Sequence, residues 1–120
     1  MYNVVRVGDK EIPMLAMASV DVYYKQIFRE DPIALQASEG FDAGAMIPFM
    51  ERMGFVMAKF AECKDRKAML QLNEEAFLDW LDGLERAEYI NALADVQATY
   101  EGQALPTAAS KKNNAEPSEA

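Results

Sequence analysis

The sequence predicts a mainly α-helical domain that opens with one β-hairpin, and three observations carry that reading. Apolar residues recur at helical spacing through most of the chain; only the segment 2–14 lacks that periodicity; and the segment after Gln103 has Leu105 as its sole large apolar residue. The expected organisation is a single folded domain over 1–102, built of a hairpin at 2–14 and a small helical bundle with helices at about 20–29, 46–64 and 74–101. A disordered C-terminal tail is expected over 103–120. A length of 120 residues suits one core, and 51% hydrophobic with 27% charged residues is an ordinary globular balance.

The hairpin is read from two short runs, Tyr2-Asn3-Val4-Val5-Arg6-Val7 and Glu11-Ile12-Pro13-Met14, flanking the turn Gly8-Asp9-Lys10. Pro13 has no N–H, so its strand must lie at an edge or turn that position away from its partner. Ser19 is the expected N-cap of the first helix, whose face is Val20, Tyr23, Tyr24, Ile27 and Phe28. Asp31-Pro32, a cap followed by Pro at the first helical position, starts a short turn or helix through Ile33, Leu35 and Ala37.

The long helix shows Met46, Phe49, Met50, Met53, Val56, Met57 and Phe60 on one stripe. Pro48 is tolerated only in a first turn, so regular helix is expected to begin close to Ile47. Gly54 weakens the interior, and its missing side chain offers a neighbouring helix close approach. The segment 63–67 is polar and breaks the stripe. Asn73 caps the last helical stretch, with Glu74 and Glu75 in its first turn. Gly83 leaves open whether a new helix starts near Glu85, and Gly102 ends the pattern.

Composition excludes most catalytic templates. His is absent and Cys63 is the single cysteine, which removes a His general base, the usual zinc sets and an intramolecular disulfide. Glycines are scattered, with no phosphate-binding loop. No catalytic, cofactor-binding or metal-binding residues are expected, and no enzymatic activity. Twelve basic against twenty acidic residues give a formal charge of −8, the wrong sign for a nucleic-acid binder. The N-terminal residues lack the pattern of a signal peptide, and no run of about eighteen apolar residues offers a membrane span, so a soluble, cytosolic protein is expected.

Two features remain. Between positions 74 and 101 lie eight acidic residues, Glu74, Glu75, Asp79, Asp82, Glu85, Glu88, Asp95 and Glu101, and one basic residue, Arg86. That run is either a solvated helical face or a surface that steers a basic partner. The Met stripe is either adaptable core or an exposed apolar surface, and Met50, Met53, Met57, Phe60 and Trp80 are the candidate partner-binding residues. The open hairpin edge makes a second copy of the chain a further candidate partner.

The order of features resembles the tail assembly chaperones of long-tailed bacteriophages, especially siphophages of Gram-positive bacteria. The resemblance is carried by Gly8-Asp9-Lys10-Glu11-Ile12-Pro13, by Tyr24-Lys25-Gln26-Ile27-Phe28 followed by Glu30-Asp31-Pro32, and by Glu51-Arg52-Met53-Gly54-Phe55-Val56-Met57-Ala58. Leu72-Asn73-Glu74-Glu75 leading into Phe77-Leu78-Asp79-Trp80-Leu81, and the closing Tyr100-Glu101-Gly102-Gln103, complete it. It implies a non-enzymatic, mainly helical protein of the infected host cytoplasm, absent from the mature virion. Such a protein binds the tape measure protein and helps tail tube protein subunits assemble around it. It also implies a longer form made by ribosomal frameshifting, and Lys111-Lys112-Asn113 can be encoded by a slippery heptamer of the −1 type. The alternative function is an acidic regulatory module that blocks a basic nucleic-acid-binding surface.

Overall fold

The computed structural model describes residues 1–106. Strands β1 (Tyr2–Val7) and β2 (Lys10–Leu15) form an antiparallel hairpin, followed by α1 (Val20–Phe28), α2 (Pro32–Ala37), α3 (Ala43–Cys63), α4 (Arg66–Leu70), α5 (Glu74–Asp82) and α6 (Arg86–Tyr100). The mainly helical fold with an N-terminal hairpin is therefore the one the apolar periodicity predicts.

The hairpin closes through the two-residue loop Gly8-Asp9, with Val7 opposite Lys10 and Val4 opposite Pro13. Gly8 takes φ 61°, the sign needed at the first central position of a type II′ turn. Alternation along β1 sends Asn3, Val5 and Val7 inward and leaves Tyr2, Val4 and Arg6 exposed. The inward face, with Met14 of β2, lies over α3 and α6. α3 is the spine of the domain: Met53, Gly54, Phe55, Val56, Met57 and Ala58 are all buried, so in its centre it is enclosed on every side. Aromatic contacts link the helices, with Phe28 on Phe77 (5.2 Å between centroids), Phe77 on Phe55 (5.5 Å), and Phe55 on Trp80 (5.6 Å).

Local chemistry explains where the elements differ from expectation. α3 begins at Ala43, because the Asp42 carboxylate accepts a hydrogen bond from Ala45 N–H at 3.0 Å. Pro48 is therefore inside the helix and deprives the Gly44 carbonyl of its partner, in an exposed turn where water can serve it. Ser19 makes no side-chain cap bond. Asn73 does, accepting from Ala76 N–H at 2.9 Å, and Asp31 caps α2 through Ile33 and Ala34. The stretch 74–101 is two helices, separated at Gly83 and Leu84. The polar break after Cys63 holds an unanticipated short helix: Asp65 caps α4 at Ala68 N–H, and Met69 anchors it in the core with no exposed surface.

The folded chain also continues past Gly102. Asn3, buried beneath the sheet, donates to Thr99 Oγ1 (2.8 Å) and to the Gln103 carbonyl (2.9 Å), and its Oδ1 accepts from Leu105 N–H (3.1 Å). Thr99 in turn donates to the Asp95 carbonyl at 2.9 Å, so every member of this buried network is satisfied. Leu105 packs against the core. Residues 103–106 are thus part of the domain rather than of the expected tail, and the remainder of that tail, with Lys111-Lys112-Asn113, lies outside the described residues. A chain ending at Gln103 should melt about 5 °C or more below one ending at Pro106, because it loses the Leu105 contact and leaves Asn3 Oδ1 buried without its donor. Equal melting temperatures would remove this anchor from the fold.

Candidate functional site

The five candidate partner-binding residues separate into two groups. Met50, Met53 and Met57 are 2%, 0% and 0% exposed and belong to the buried core cluster. Their sulfurs fill core space, so these three residues of the stripe are interior in the fold. Phe60 and Trp80 remain partly exposed. Phe60 lies 5.5 Å from the Tyr23 ring, on the α1 side of α3. Trp80 rests edge-on against Phe55 and Tyr89, which fix its ring and leave one side open.

That open side lines a groove with Ile12 and Pro13 of β2 and Ala58, Lys59, Ala61 and Glu62 of α3, with a volume of about 170 Å³. Small-molecule sites span about 300–1,000 Å³, so this groove accommodates one or two apolar side chains rather than a metabolite. Lys59 and Glu62 pair at 3.5 Å at its rim. The sequence singles out Trp80, but not Ile12, Pro13, Ala58 or Ala61. These come from a strand and a helix far apart in the chain, and only the packing of β2 along α3 brings them together.

α5, which carries Trp80, also begins the acidic run. All eight of its carboxylates, from Glu74 to Glu101, are exposed, and none forms an ion pair among the described residues. Leu78 stands exposed among them. Uncompensated carboxylates so arranged project a negative field that falls off over about 8–10 Å at moderate salt.

Tyr24 donates to Glu30 Oε1 at 2.9 Å, and Glu30 also pairs with Arg52 at 3.3 Å. Tyr100 donates to Asp21 Oδ1 at 2.6 Å and accepts from Gln36. Burial first, and then the adjoining Asp21 carboxylate, push the Tyr100 hydroxyl up to about 12. Burial likewise raises Tyr24, and it raises Tyr89, whose hydroxyl donates to the Glu51 carbonyl. All three are held protonated in the fold beyond the ordinary phenol range, while the unfolded chain ionises near pH 10. Stability from these groups is therefore full below pH 10 and is lost as pH rises towards 12. Alkaline titration followed by circular dichroism should show cooperative unfolding in that window, and a flat profile to pH 12 would contradict it.

Cys63 is a free, exposed thiol. Among the described residues no group of three His, Cys, Asp or Glu side chains could hold a metal ion, and no helix is long and apolar enough to cross a membrane. Compared with known proteins, the chain matches no family model, no curated protein and no solved structure.

Proposed function

We propose that this chain is a non-enzymatic assembly chaperone of the long-tailed phage type, which holds a segment of the tape measure protein while tail tube protein gathers around it. The observation that carries the reading is the apolar groove at Trp80, on the helix α5 that also carries four of the eight exposed carboxylates that form no ion pair among the described residues. An amphipathic helix with one or two large apolar side chains and flanking Lys or Arg would complement both parts at once. The resemblance of the motifs from Gly8 to Gln103 supplies the identity of that partner. With Met50, Met53 and Met57 buried, the contact is assigned to Trp80 and its groove neighbours.

Ala61→Arg puts a long charged side chain at the groove while removing no core atom. It should abolish co-purification with the tape measure protein at an unchanged melting temperature. Undiminished co-purification would overturn the groove as the contact. The acidic face by itself also favours a second reading, an acidic module that occupies a basic nucleic-acid-binding surface. That reading requires a basic protein partner whose binding disappears at about 0.5 M salt and is indifferent to Ala61→Arg.

A further inference from the structure

The two edges of the hairpin are unlike. Met1 and Ala16 exchange both backbone hydrogen bonds, at 2.6 and 2.8 Å, which sets the phase of the ladder. Asn3, Val5 and Val7 therefore bond into β2, while the N–H and C=O groups of Tyr2, Val4 and Arg6 point outward and find no partner among the described residues. On β2 the outward positions are Glu11, Pro13 and Leu15, and Pro13 has no donor to offer. β1 is thus the open edge, a template for a further strand.

A second observation comes from the layer below. α6 runs beneath β1 and antiparallel to it, with Asn3 donating to Thr99 at one end and Gly8 against the Glu88 carboxylate at the other. β2 packs along α3, and Tyr89 and Val96 of α6 meet α3 at Gly54. At about 100° per residue the faces of α6 follow in order. Tyr89 and Val96 face α3, buried Ala92 and Thr99 come next beneath β1, and exposed Glu88 and Asp95 follow. This last pair forms the rim of the helix beside the open edge, on the side away from β2. Neither carboxylate forms an ion pair among the described residues. The hairpin's own cations are engaged elsewhere, Arg6 with Glu11 at 3.1 Å and Lys10 with the Gly83 carbonyl.

A second copy of the chain does not fit this edge. Strands pair at about 4.8 Å, whereas packed helices need about 8–10 Å between axes, so two β1 strands side by side would force their α6 helices into each other. A lone extended segment brings no such helix. Placed beside β1, it sets one row of alternating side chains over Glu88 and Asp95 and the other row beside exposed Tyr2 and Val4. Side chains of the lower row recur about every 7 Å, and Glu88 and Asp95 stand about 10 Å apart along α6, a difference that the flexible stems of Lys or Arg cover. Acidic side chains in that row would be repelled.

We infer that the open edge of β1 receives an extended segment of a partner protein, added as a third strand, in which Lys or Arg alternates with apolar residues. Backbone bonds to Tyr2, Val4 and Arg6 supply the pairing, and Glu88 and Asp95 select a basic segment over an acidic one. The Trp80 groove lies on the β2 side, so this contact stands independently of the chaperone reading and leaves that groove open.

The probe is a fluorescein-labelled peptide of about nine residues in which Lys alternates with Val and Thr, compared with its counterpart carrying Glu in place of Lys. Followed by anisotropy with the full chain, the Lys peptide should bind with a Kd below about 100 µM and the Glu peptide at least tenfold more weakly. At saturation, hydrogen exchange at the Val4 and Arg6 amides should slow at least tenfold, because both become bonded. Asp95→Lys, at an exposed position, should keep the wild-type melting temperature while weakening the Lys peptide at least tenfold and strengthening the Glu peptide. A Lys peptide that fails to bind at about 1 mM, that binds without slowing exchange at Val4 and Arg6, or that is indifferent to Asp95→Lys would each overturn the inference. Slow exchange at both amides in the chain alone would overturn it too. Independent of protein concentration, it would give the edge to the chain's own residues after Pro106; rising with concentration, it would give the edge to a second copy.

Discussion

Met53→Asp is expected to unfold the domain outright. Met53 has no exposed surface, and its neighbours in α3 from Gly54 to Ala58 are buried too, so an aspartate there would be sealed from water. Burying an unpaired carboxylate costs several kcal/mol, and the lost thioether packing adds about 2–3 kcal/mol. The total stability of a domain this size is about 5–15 kcal/mol. Loss of near-ultraviolet circular dichroism and of a cooperative melt should follow. Met53→Leu, which conserves volume, should cost less than about 1.5 kcal/mol and remain folded. A folded Met53→Asp protein with a near-normal melt would mean that this face of α3 is open in solution and available to a partner.

The same residue shows what a single sequence reveals and where it stops. Periodicity places Met50, Met53 and Met57 on one helical face, but a face covered by other elements and a face offered to a partner have the same spacing. What decides between them is the cover, and the elements packed on α3 include β2 and α6, contributed from opposite ends of the chain. The unbroken apolar run from Met53 to Ala58 carried a hint, since a helix apolar on every side is an enclosed one. Capping chemistry was more legible than burial, because it is local: Asp31-Pro32 and Asn73 act as their sequences suggest, and Pro13 turns its missing donor away from β1. Asp65 and Met69 show the limit of that rule. One capping residue and one apolar anchor suffice for the short α4 once α1 and α3 are in place to receive it, and five residues are too few to establish a period. The docking of Leu105 depends on Asn3, 102 positions away, and composition alone gives no sign of it. The groove at Trp80 has the same origin in packing between distant elements.

Gly54→Ala is expected to destabilise the protein, although alanine is the better helix former by about 1 kcal/mol. A β-carbon at position 54 would lie 2.2 Å from the Tyr89 hydroxyl oxygen, and that hydroxyl cannot swing aside. It donates to the Glu51 carbonyl at 2.8 Å, and its ring is held edge-on by Trp80 at 5.5 Å. The two long helices must therefore separate, opening the contact that Val96 makes with α3 at Gly54. A net loss of about 2 kcal/mol, or roughly 10 °C in melting temperature, is the expected result. Tyr89→Phe alone should cost about 1 kcal/mol, because the Glu51 carbonyl keeps its intrahelical bond when the hydroxyl is lost. In the double variant the nearest remaining atoms are Val96 Cγ1 at 3.3 Å and the ring Cζ at 3.4 Å, contacts the packing can absorb. Gly54→Ala in the Tyr89→Phe background should then be neutral or stabilising, giving a coupling energy of about 2 kcal/mol between the two positions. Strict additivity of the two single changes would show that α3 and α6 do not approach through Gly54, and the spine of the fold would have to be redrawn.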